Sequence, residues 1–262
     1  ISLSFMNYVI WKPGEMAFIF LENYRAAWED EIFLISLGNT VVWIVGVIGL
    51  QLLLGFGTAL LLNRDFPFRG LIRALILIPW VTPSVITALM WRWMYDGNSG
   101  LLNDLMVRLG IINQYVPWLA QGSTSLPSIM VALMWQGFPF FAVMILAGLQ
   151  AIPQELYEVA DVDGATIFQK FFRITLPMLT PILFTTILLR TIWVANSLDI
   201  IFIMTGGGPG YSSHTLPLYA YLKAYKGLDF GYAATISVYL TILLVGIVIL
   251  YVIRVMKSED RL

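Results

Sequence analysis

The sequence predicts an all-α integral membrane protein, because its composition and its long apolar stretches suit lipid. The 262 residues are 59% hydrophobic and only 12% charged, whereas an average soluble domain is about 25% charged. Five stretches reach the ~20 apolar residues that a helix needs to cross the hydrocarbon. Lipid offers no partners to unpaired backbone groups, so we interpret all five as helices and not as strands. They cover residues 33–63, 71–95, 126–150, 178–204 and 233–253.

The first residues predict one more span. Residues 1–10 resemble the outer end of a helix that begins upstream of Ile1. This would bring the total to about six spans, with the first one truncated. The chain begins with Ile and not with Met, so we expect residues to be missing before it, and no cleavable signal peptide is recognisable. Without internal repeats, we treat residues 1–262 as a single transmembrane domain.

Positive charge predicts the orientation of the spans, because Lys and Arg concentrate in cytoplasmic loops. They are dense in three regions that alternate correctly to share one side: between the first two complete spans, at 151–177, and after the last span. These residues are Arg64, Arg69, Arg73, Lys170, Arg173, Arg254, Lys257 and Arg261. Regions 11–31, 96–125 and 205–232 have a lower density of positive charge, so we expect them on the outer side.

Composition also disfavours several kinds of site. The net charge of −1 argues against nucleic acid as a partner, and the absence of cysteine excludes disulfides and thiolate metal sites. The single histidine, His214, makes a histidine-rich metal centre impossible. The Gly-rich stretch at 206–210 lacks the Lys-Ser/Thr of a phosphate-binding loop, so we do not expect this chain to bind ATP by that route.

Two rival functions suit the spans less well. An intramembrane enzyme would need a nucleophile with its base, or paired carboxylates in the membrane. His214 lies in a loop, and Asp199 is the only clear acid in a predicted span. A secondary transporter driven by protons or sodium would favour several such acids and inverted repeats.

The most informative segment is a polar interruption between two apolar spans, at residues 155–177. If its first part is helical, Leu156, Val159 and Ala160 share one face, while acids recur at three-residue steps. Gly164 then allows a sharp bend, and a second short apolar helix follows. An apolar stripe on the aqueous side of a membrane protein needs a protein partner. The alternative is an amphipathic helix that lies on the membrane surface.

This segment resembles the signature cytoplasmic loop of permease subunits in binding-protein-dependent ABC importers, and we call residues 151–177 the signature loop. The family pattern is Glu-Ala-Ala, two residues, Asp-Gly-Ala, five residues, Phe, two residues, Ile, one residue, Leu-Pro. The matching residues are Glu158, Ala160, Asp163, Gly164, Ala165, Phe171, Ile174, Leu176 and Pro177. Val159 in place of the first Ala is the one departure. The resemblance implies that these nine residues form short helices that dock into a groove on a separate ATPase subunit.

Polar and aromatic residues inside the spans predict a substrate site, because such groups are costly in lipid and usually face a cavity or a partner. They form three clusters. The first surrounds the prolines at 79 and 83, which break the helix and free its carbonyls; Trp80 and Ser84 would share a face if the helix persists there. The second lies near the proline at 139, and the third lies late in the 178–204 span. The candidates are Trp80, Ser84, Gln136, Gly137, Arg190, Trp193, Asn196 and Ser197. Aromatic rings stack on the C–H faces of a sugar, while amides and hydroxyls bond to its hydroxyl groups. The alternative for each residue is interhelical packing.

Arg190 is the sharpest anomaly, because a mid-span arginine costs about 2.5–3.5 kcal/mol on insertion scales unless it is paired. Asp199 lies nine residues further on, about 13 Å along one helix. We therefore expect a partner on another span or on another subunit. The remaining interpretation is contact with substrate hydroxyls, or with an anionic group if the substrate is a uronate or a sugar phosphate.

A second resemblance covers nearly the whole chain. The stretch Thr-Gly-Gly-Gly-Pro-Gly at 205–210, followed by Thr215, Leu216, Tyr219 and Tyr221, resembles the outer loop of the first of two permeases in maltose-transporter-like sugar importers. This implies a type I importer permease core that moves a disaccharide, oligosaccharide or glycoside by alternating access. The outer loops would then receive the binding protein, although aromatic loops of this kind also form headgroup belts.

The same resemblance implies the partners and the location. A second homologous permease, two ATPase subunits with their ATP and Mg²⁺, and an extracytoplasmic sugar-binding protein would complete the complex. This chain would be no enzyme and would hold no cofactor or metal of its own. It would lie in a bacterial or archaeal cytoplasmic membrane, with the signature loop and the C-terminus on the cytoplasmic side.

Overall fold

The structure is a computed structural model that describes residues 1–259, so that Arg261, one of the predicted inner-side charges, lies outside the described residues. It is almost entirely helical, as predicted. The long helices are α2 (Glu31–Leu62), α7 (Ser125–Gln150), α10 (Leu176–Ala195) and α13 (Phe230–Glu259). The shorter helices are α1 (Glu22–Glu29), α3 (Arg69–Ile76), α4 (Ile78–Val81), α5 (Ser84–Met94), α6 (Leu101–Arg108), α8 (Gln154–Val162), α9 (Ile167–Lys170), α11 (Asp199–Met204) and α12 (Leu216–Tyr225).

The core forms where α2 and α7 pack along each other, with α10 against both. Among the described residues, four helices are long and apolar enough to cross a membrane, and a bent pair formed by α3–α4 and α5 makes a fifth. Large apolar side chains such as Trp43, Phe33 and Phe141 are fully buried between these helices. The five predicted spans therefore correspond to four continuous helices and one broken one.

The N-terminal residues differ from the prediction. Residues 1–10 contain a 3₁₀ helix (Ser2–Phe5) and a strand β1 (Met6–Asn7), which pairs antiparallel with β2 (Ala17–Phe18). Their polar side chains bond locally to the backbone: Ser4 Oγ donates to the Ile1 carbonyl at 2.6 Å, and Asn7 Nδ2 to the Glu15 carbonyl at 3.1 Å. Such bonds compete with a continuous helix. The prediction that residues 1–10 form the end of a helical span is therefore wrong.

The second span breaks where its prolines predict. Pro83 has no N–H and forces the residue before it out of the helical region, and Thr82 is accordingly extended, with ψ 125°. The two halves meet at 92°. Gln136 Nε2 donates to the freed Thr82 carbonyl at 2.8 Å. Because the helix does not persist through the break, the suggestion that Trp80 and Ser84 share one helical face is not met.

The fourth span ends earlier than predicted. Helix α10 stops at Ala195, and residues 199–204 form the separate helix α11, which packs on α5. The Asn196 and Ser197 side chains donate to the carbonyls four residues back, at 2.8 and 2.9 Å, and such bonds favour a bend or an end. Asp199 is therefore not an acid within a continuous span. At its other end, α10 continues through a π-helical turn (Phe171–Thr175) into α9, as one helix over Ile167–Ala195.

A polar cluster joins the start of α2 to α12 and α13. Asp30 caps α2 by accepting from the N–H groups of Ile32 and Phe33, and it also accepts from the hydroxyls of Tyr219 on α12 and Tyr232 on α13. Burial raises the pKa of Asp30, but these hydrogen bonds outweigh burial and hold its pKa below the usual value. The three helices are thus joined by an ionised carboxylate.

Candidate functional site

The signature loop folds as two short helices joined by a sharp turn. Helix α8 ends at Val162, and Gly164 follows with φ +71°, a conformation that glycine adopts without the steric cost of a Cβ. Thr166 then caps α9: its hydroxyl accepts from the Gln169 N–H, and the Gln169 side chain accepts from the Thr166 N–H. The polar sequence therefore specifies both the turn and the restart of the helix.

Apolar side chains point away from the protein along this loop. Ile167 and Phe168 are 79% and 77% exposed, and Val159, Val162 and Phe172 are also exposed. Exposed apolar patches on a soluble surface mark interaction sites. Ile167, Phe168 and Phe172 are missing from the residues that the motif predicts, although their apolar run in a polar loop was a usable signal.

The nine motif residues differ in their surroundings: five line a cleft, one packs inward on α2, and the other three are exposed or half-buried. Ala160, Asp163, Gly164, Ala165 and Ile174 line one cleft of about 350 Å³. In contrast, Phe171 packs inward on Phe56 of α2 at 5.8 Å between ring centroids. Glu158 and Pro177 are exposed, and Leu176 is half-buried.

Two contacts hold α8 against α9 and the π-helical turn that follows it. Lys170 Nζ forms an ion pair with Asp161 at 2.6 Å, and the hydroxyls of Tyr157 and Thr175 lie 2.8 Å apart. The first pair is partly exposed and contributes little, about 0–1 kcal/mol. The hydrogen bond between Tyr157 and Thr175 is partly buried, so that it holds α8 at a defined angle to the helix that contains Thr175. The loop is thus a defined surface and not a flexible connection.

Arg190 lies in a buried cluster, which we call the Arg190 cluster and which also contains Gln51 and Gly137. Arg190 is 7% exposed, and its Nε donates to Gln51 Oε1 at 3.0 Å. Gln51 Nε2 in turn donates to the Leu133 carbonyl at 2.7 Å. Gly137 lies against both side chains, where a Cβ would collide with Arg190 Nη2 and the Gln51 amide. The expected partner on another span is therefore Gln51 of α2, which sequence reasoning missed.

Three aromatic rings form a row between the broken span, α7 and α10. The Trp80 and Phe140 centroids lie 5.7 Å apart, and those of Phe140 and Trp193 lie 5.2 Å apart. Trp80 and Trp193 are 44% and 46% exposed. We call these three residues the aromatic row. Phe140 was not among the predicted residues, because an apolar side chain within a span gives no signal of its own.

Polar groups are available along the broken span. The Ser84 hydroxyl bonds to the Asp199 carboxylate, which joins α5 to α11. Gln136 uses one amide N–H on the Thr82 carbonyl, and this leaves its amide oxygen without a bond among the described residues. Ser84 and Gln136 are half-buried. The row and these groups together offer stacking surfaces and hydrogen-bonding groups.

Asn196, Ser197 and Gly137 lie apart from the row. Asn196 lines a different cleft of about 490 Å³, between α12, α13 and the end of α10. Ser197 caps the end of α10, and Gly137 is enclosed by Arg190 and Gln51. Arg190 lies next to the row, because its guanidinium is 5.8 Å from the centre of the Trp193 ring. The structure therefore brings Trp80 and Trp193 together through Phe140, places Ser84 and Gln136 at the break in the span, and holds Arg190 between Gln51 and Trp193.

The comparison with protein families decides the class of this protein. The model described as "Binding-protein-dependent transport system inner membrane component" matches residues 51–257. The chain belongs to this family. It is a multi-pass subunit of an inner-membrane transport system, and the motif residues, the Arg190 cluster and the aromatic row all lie within the matched range.

Relatives of known name cover most of the chain. It is 37% identical over 248 residues to the sulfoquinovosyl glycerol transport system permease protein SmoG of Agrobacterium fabrum, covering 95% of this chain and 79% of SmoG. It is 38% identical over 237 residues to the trehalose/maltose transport system permease protein MalF of Thermococcus litoralis, covering 90% and 79%.

A solved structure has the same fold. A chain of a bacterial ABC transporter involved in the import of the acidic polysaccharide alginate superposes with a TM-score of 0.78 and 22% identity, covering 92% of this chain and 84% of that one. The permease fold predicted from the signature loop is confirmed.

Proposed function

We propose that this chain is the permease subunit of an ATP-driven importer that moves a sugar across the cytoplasmic membrane. The aromatic row is the observation that supports this most directly, because half-exposed Trp rings beside amide and hydroxyl groups suit the C–H faces and hydroxyls of a sugar. The two relatives above are named for sulfoquinovosyl glycerol and for trehalose and maltose. A disaccharide, an oligosaccharide or a glycoside is the substrate class that we propose.

The signature loop is the surface that meets the ATPase in this proposal. Its exposed apolar side chains need a protein partner, and Gly164 and the Thr166 cap give it a fixed shape. ATP and Mg²⁺ belong to the two ATPase subunits, and this chain contributes neither catalysis nor a cofactor. The loop and the C-terminus then face the cytoplasm, and the orientation follows from the distribution of positive charge.

The substrate path lies at an interface with a second, homologous permease. Trp80 and Trp193 expose nearly half of their surface in the isolated chain, and a second subunit would enclose them. An extracytoplasmic binding protein delivers the sugar to the outer loops. ATP binding favours one of two states of the spans, so that the site opens alternately to each side.

An anionic sugar is the alternative substrate class, and it depends on Arg190. The structure gives this alternative less support, because Arg190 is buried and its Nε is bonded to Gln51. A panel that contains neutral sugars, a uronate and a sugar phosphate separates the two classes.

The deciding experiment measures ATPase activity of the reconstituted complex with the binding protein and each sugar of the panel. Gly164→Pro should abolish stimulation, because proline cannot adopt φ +71°. Gly110→Pro is the matched control: Gly110 has φ +69°, free space around its Cβ position and one backbone hydrogen bond, but lies in the 96–125 region. Equal stimulation in both variants would contradict the role of the loop, and binding of sugar to the binding protein should be unaffected.

A further inference from the structure

An apolar cavity lies at the outer end of the broken span, away from the aromatic row. It has a volume of about 330 Å³ and lies between α5, α6, the following loop and the first turns of α7. Trp91, Tyr95 and Trp118 form its aromatic wall, with centroid distances of 5.5 Å between the first two and 6.4 Å between the last two. Cavities of this size hold small molecules or parts of larger ones.

The lining of the cavity suits an apolar occupant better than a sugar. Apart from its aromatic wall, Leu102, Met106, Pro127 and Val131 line it, together with the hydroxyl residues Ser123, Thr124 and Ser128. Thr124 already donates to the Trp118 carbonyl at 2.6 Å. The Trp91 indole N–H is a buried donor without a partner among the described residues. Most of the lining is therefore apolar, and apolar cavities take apolar guests.

The position of the cavity identifies the apolar guest. Pro127 and Ser128, in the first turn of α7, line it, so that it lies at the depth where a membrane span begins. Leu102 and Met106 of α6 line the cavity. On the adjacent face of the helix, about 100° away at 3.6 residues per turn, Leu101 and Leu105 are exposed, followed by Leu109 at 71%. A helix with this pattern lies in the membrane interface, with its apolar face among the acyl chains. Acyl chains are therefore present at high concentration beside the cavity.

Charge at the end of α6 suits a phospholipid headgroup. Arg108 is in the last turn of α6, close to exposed Leu109, and its side chain is 74% exposed. Its partner Asp104 is on the same helix, and such a surface pair is weak. A phosphate can therefore compete for the guanidinium while the acyl chain enters between α6 and α7.

We propose that this cavity binds one acyl chain of an outer-leaflet phospholipid, which fixes α6 against the outer ends of α5 and α7. Filling the cavity restores the dispersion contacts that its lining lacks when it is empty. The proposal does not depend on the transported substrate.

Photolabelling of the whole complex in nanodiscs tests the proposal. The probe is a phosphatidylglycerol with a diazirine on its acyl chain, and labelled residues are identified by mass spectrometry. Met106, Trp118 and Val131 should be labelled at least as strongly as Leu89, an exposed residue of α5. Ser128→Leu should lower labelling in the cavity by at least about fivefold, because the larger side chain takes up space in it. Labelling at Leu89 should not change.

Two further variants serve as a control for Ser128→Leu and as a second test of the cavity. Val143→Leu, at an exposed position on α7, is the control for a leucine on the same helix and should not alter labelling. Leu102→Ala enlarges the cavity and should raise the labelling of its lining. If the Ser128→Leu complex fails to assemble, this increase in labelling tests the proposal instead. Unchanged labelling in both cavity variants overturns the proposal. So does an unlabelled cavity beside a labelled Leu89, or displacement of the label by sugar-loaded binding protein.

Discussion

In the signature loop apolar side chains face outward, whereas in the Arg190 cluster polar side chains face inward. Phe168 is 77% exposed, while Arg190 is buried, with its Nε bonded to Gln51 and its guanidinium over the Trp193 ring. An apolar side chain is usually buried and a charged one is usually exposed, so each region departs from the usual pattern. The comparison teaches that an exposed apolar patch points to a partner outside the chain. A buried charge points to partners within it.

The largest expected effect comes from removing one member of the Arg190 cluster. Gln51→Leu leaves the guanidinium Nε–H buried without its acceptor, and an unsatisfied buried donor costs about 1–3 kcal/mol, or more when it is charged. Arg190→Met removes the charge and leaves only the Gln51 amide oxygen unpaired, at about 1–3 kcal/mol. Thermal unfolding of the detergent-purified complex measures both losses.

The double variant sharpens this result. Gln51→Leu with Arg190→Met replaces both polar groups, so it should be more stable than Gln51→Leu alone. If the arginine instead contacts substrate and has no structural role, Gln51→Leu will leave stability unchanged, and a structural role for the Arg190–Gln51 bond is refuted.

The next effect tests how tightly this cluster is packed. Gly137→Ala places a methyl group on Arg190 Nη2 and the Gln51 amide, and overpacking costs about 1–3 kcal/mol. Gly49→Ala in α2 is the matched control, because a Cβ there meets nothing within 4 Å. The control should be neutral or slightly stabilising in the same unfolding assay, and equal losses in the two variants would refute the close approach.

A smaller effect on stability is expected from the ionised carboxylate of Asp30. Asp30 has a lowered pKa, so its contribution to stability is complete above the usual value of 3.8 and is lost as the pH falls through the lower folded value. Asp30→Asn keeps an N-cap and should lack this acid-side loss. Unfolding measured from pH 6 down to pH 3 (about the range that the titration covers) compares the two. Parallel curves would show that the tyrosines do not hold an ionised carboxylate.

The smallest effect on stability is expected in the signature loop. Phe168→Ser exchanges an exposed side chain, so stability should change by less than about 0.5 kcal/mol. Docking of the ATPase should weaken by about 2 kcal/mol or more if Phe168 is a buried anchor in the complex. Co-purification of the ATPase measures this, and Phe68→Ser is the control, because Phe68 is 78% exposed but lies outside the loop. Equal retention of the ATPase would argue that Phe168 faces something else.

Sequence alone predicted those features that depend on local chemistry. The bend of the signature loop follows from Gly164, and the break at Pro83 follows from the geometry of one proline. The family and its permease fold followed from the same loop. By contrast, the predicted helix at residues 1–10 was wrong, because Ser4 and Asn7 bond to nearby carbonyls.

The candidate substrate region was harder to predict, because four separate elements build it. Gln51 and Arg190 are 139 positions apart in the chain, and only the packing of α2 on α10 brings them together. The amide of Gln51, in the middle of the 33–63 span, was a usable signal, since polar groups in spans rarely lack a partner. Phe140 gave no such signal, and its place in the aromatic row depends on the angle between α7 and the broken span.

One continuous helix runs from Ile167 to Ala195, and it includes a π-helical turn and an internal proline at 181. Phe168 lies at one end of this helix and Trp193 near the other, about 38 Å away at 1.5 Å per residue. If the signature loop meets the ATPase and the aromatic row binds the sugar, as we propose, a displacement of Phe168 reaches Trp193 through a single helix. No loop or subunit interface lies between the two along this path.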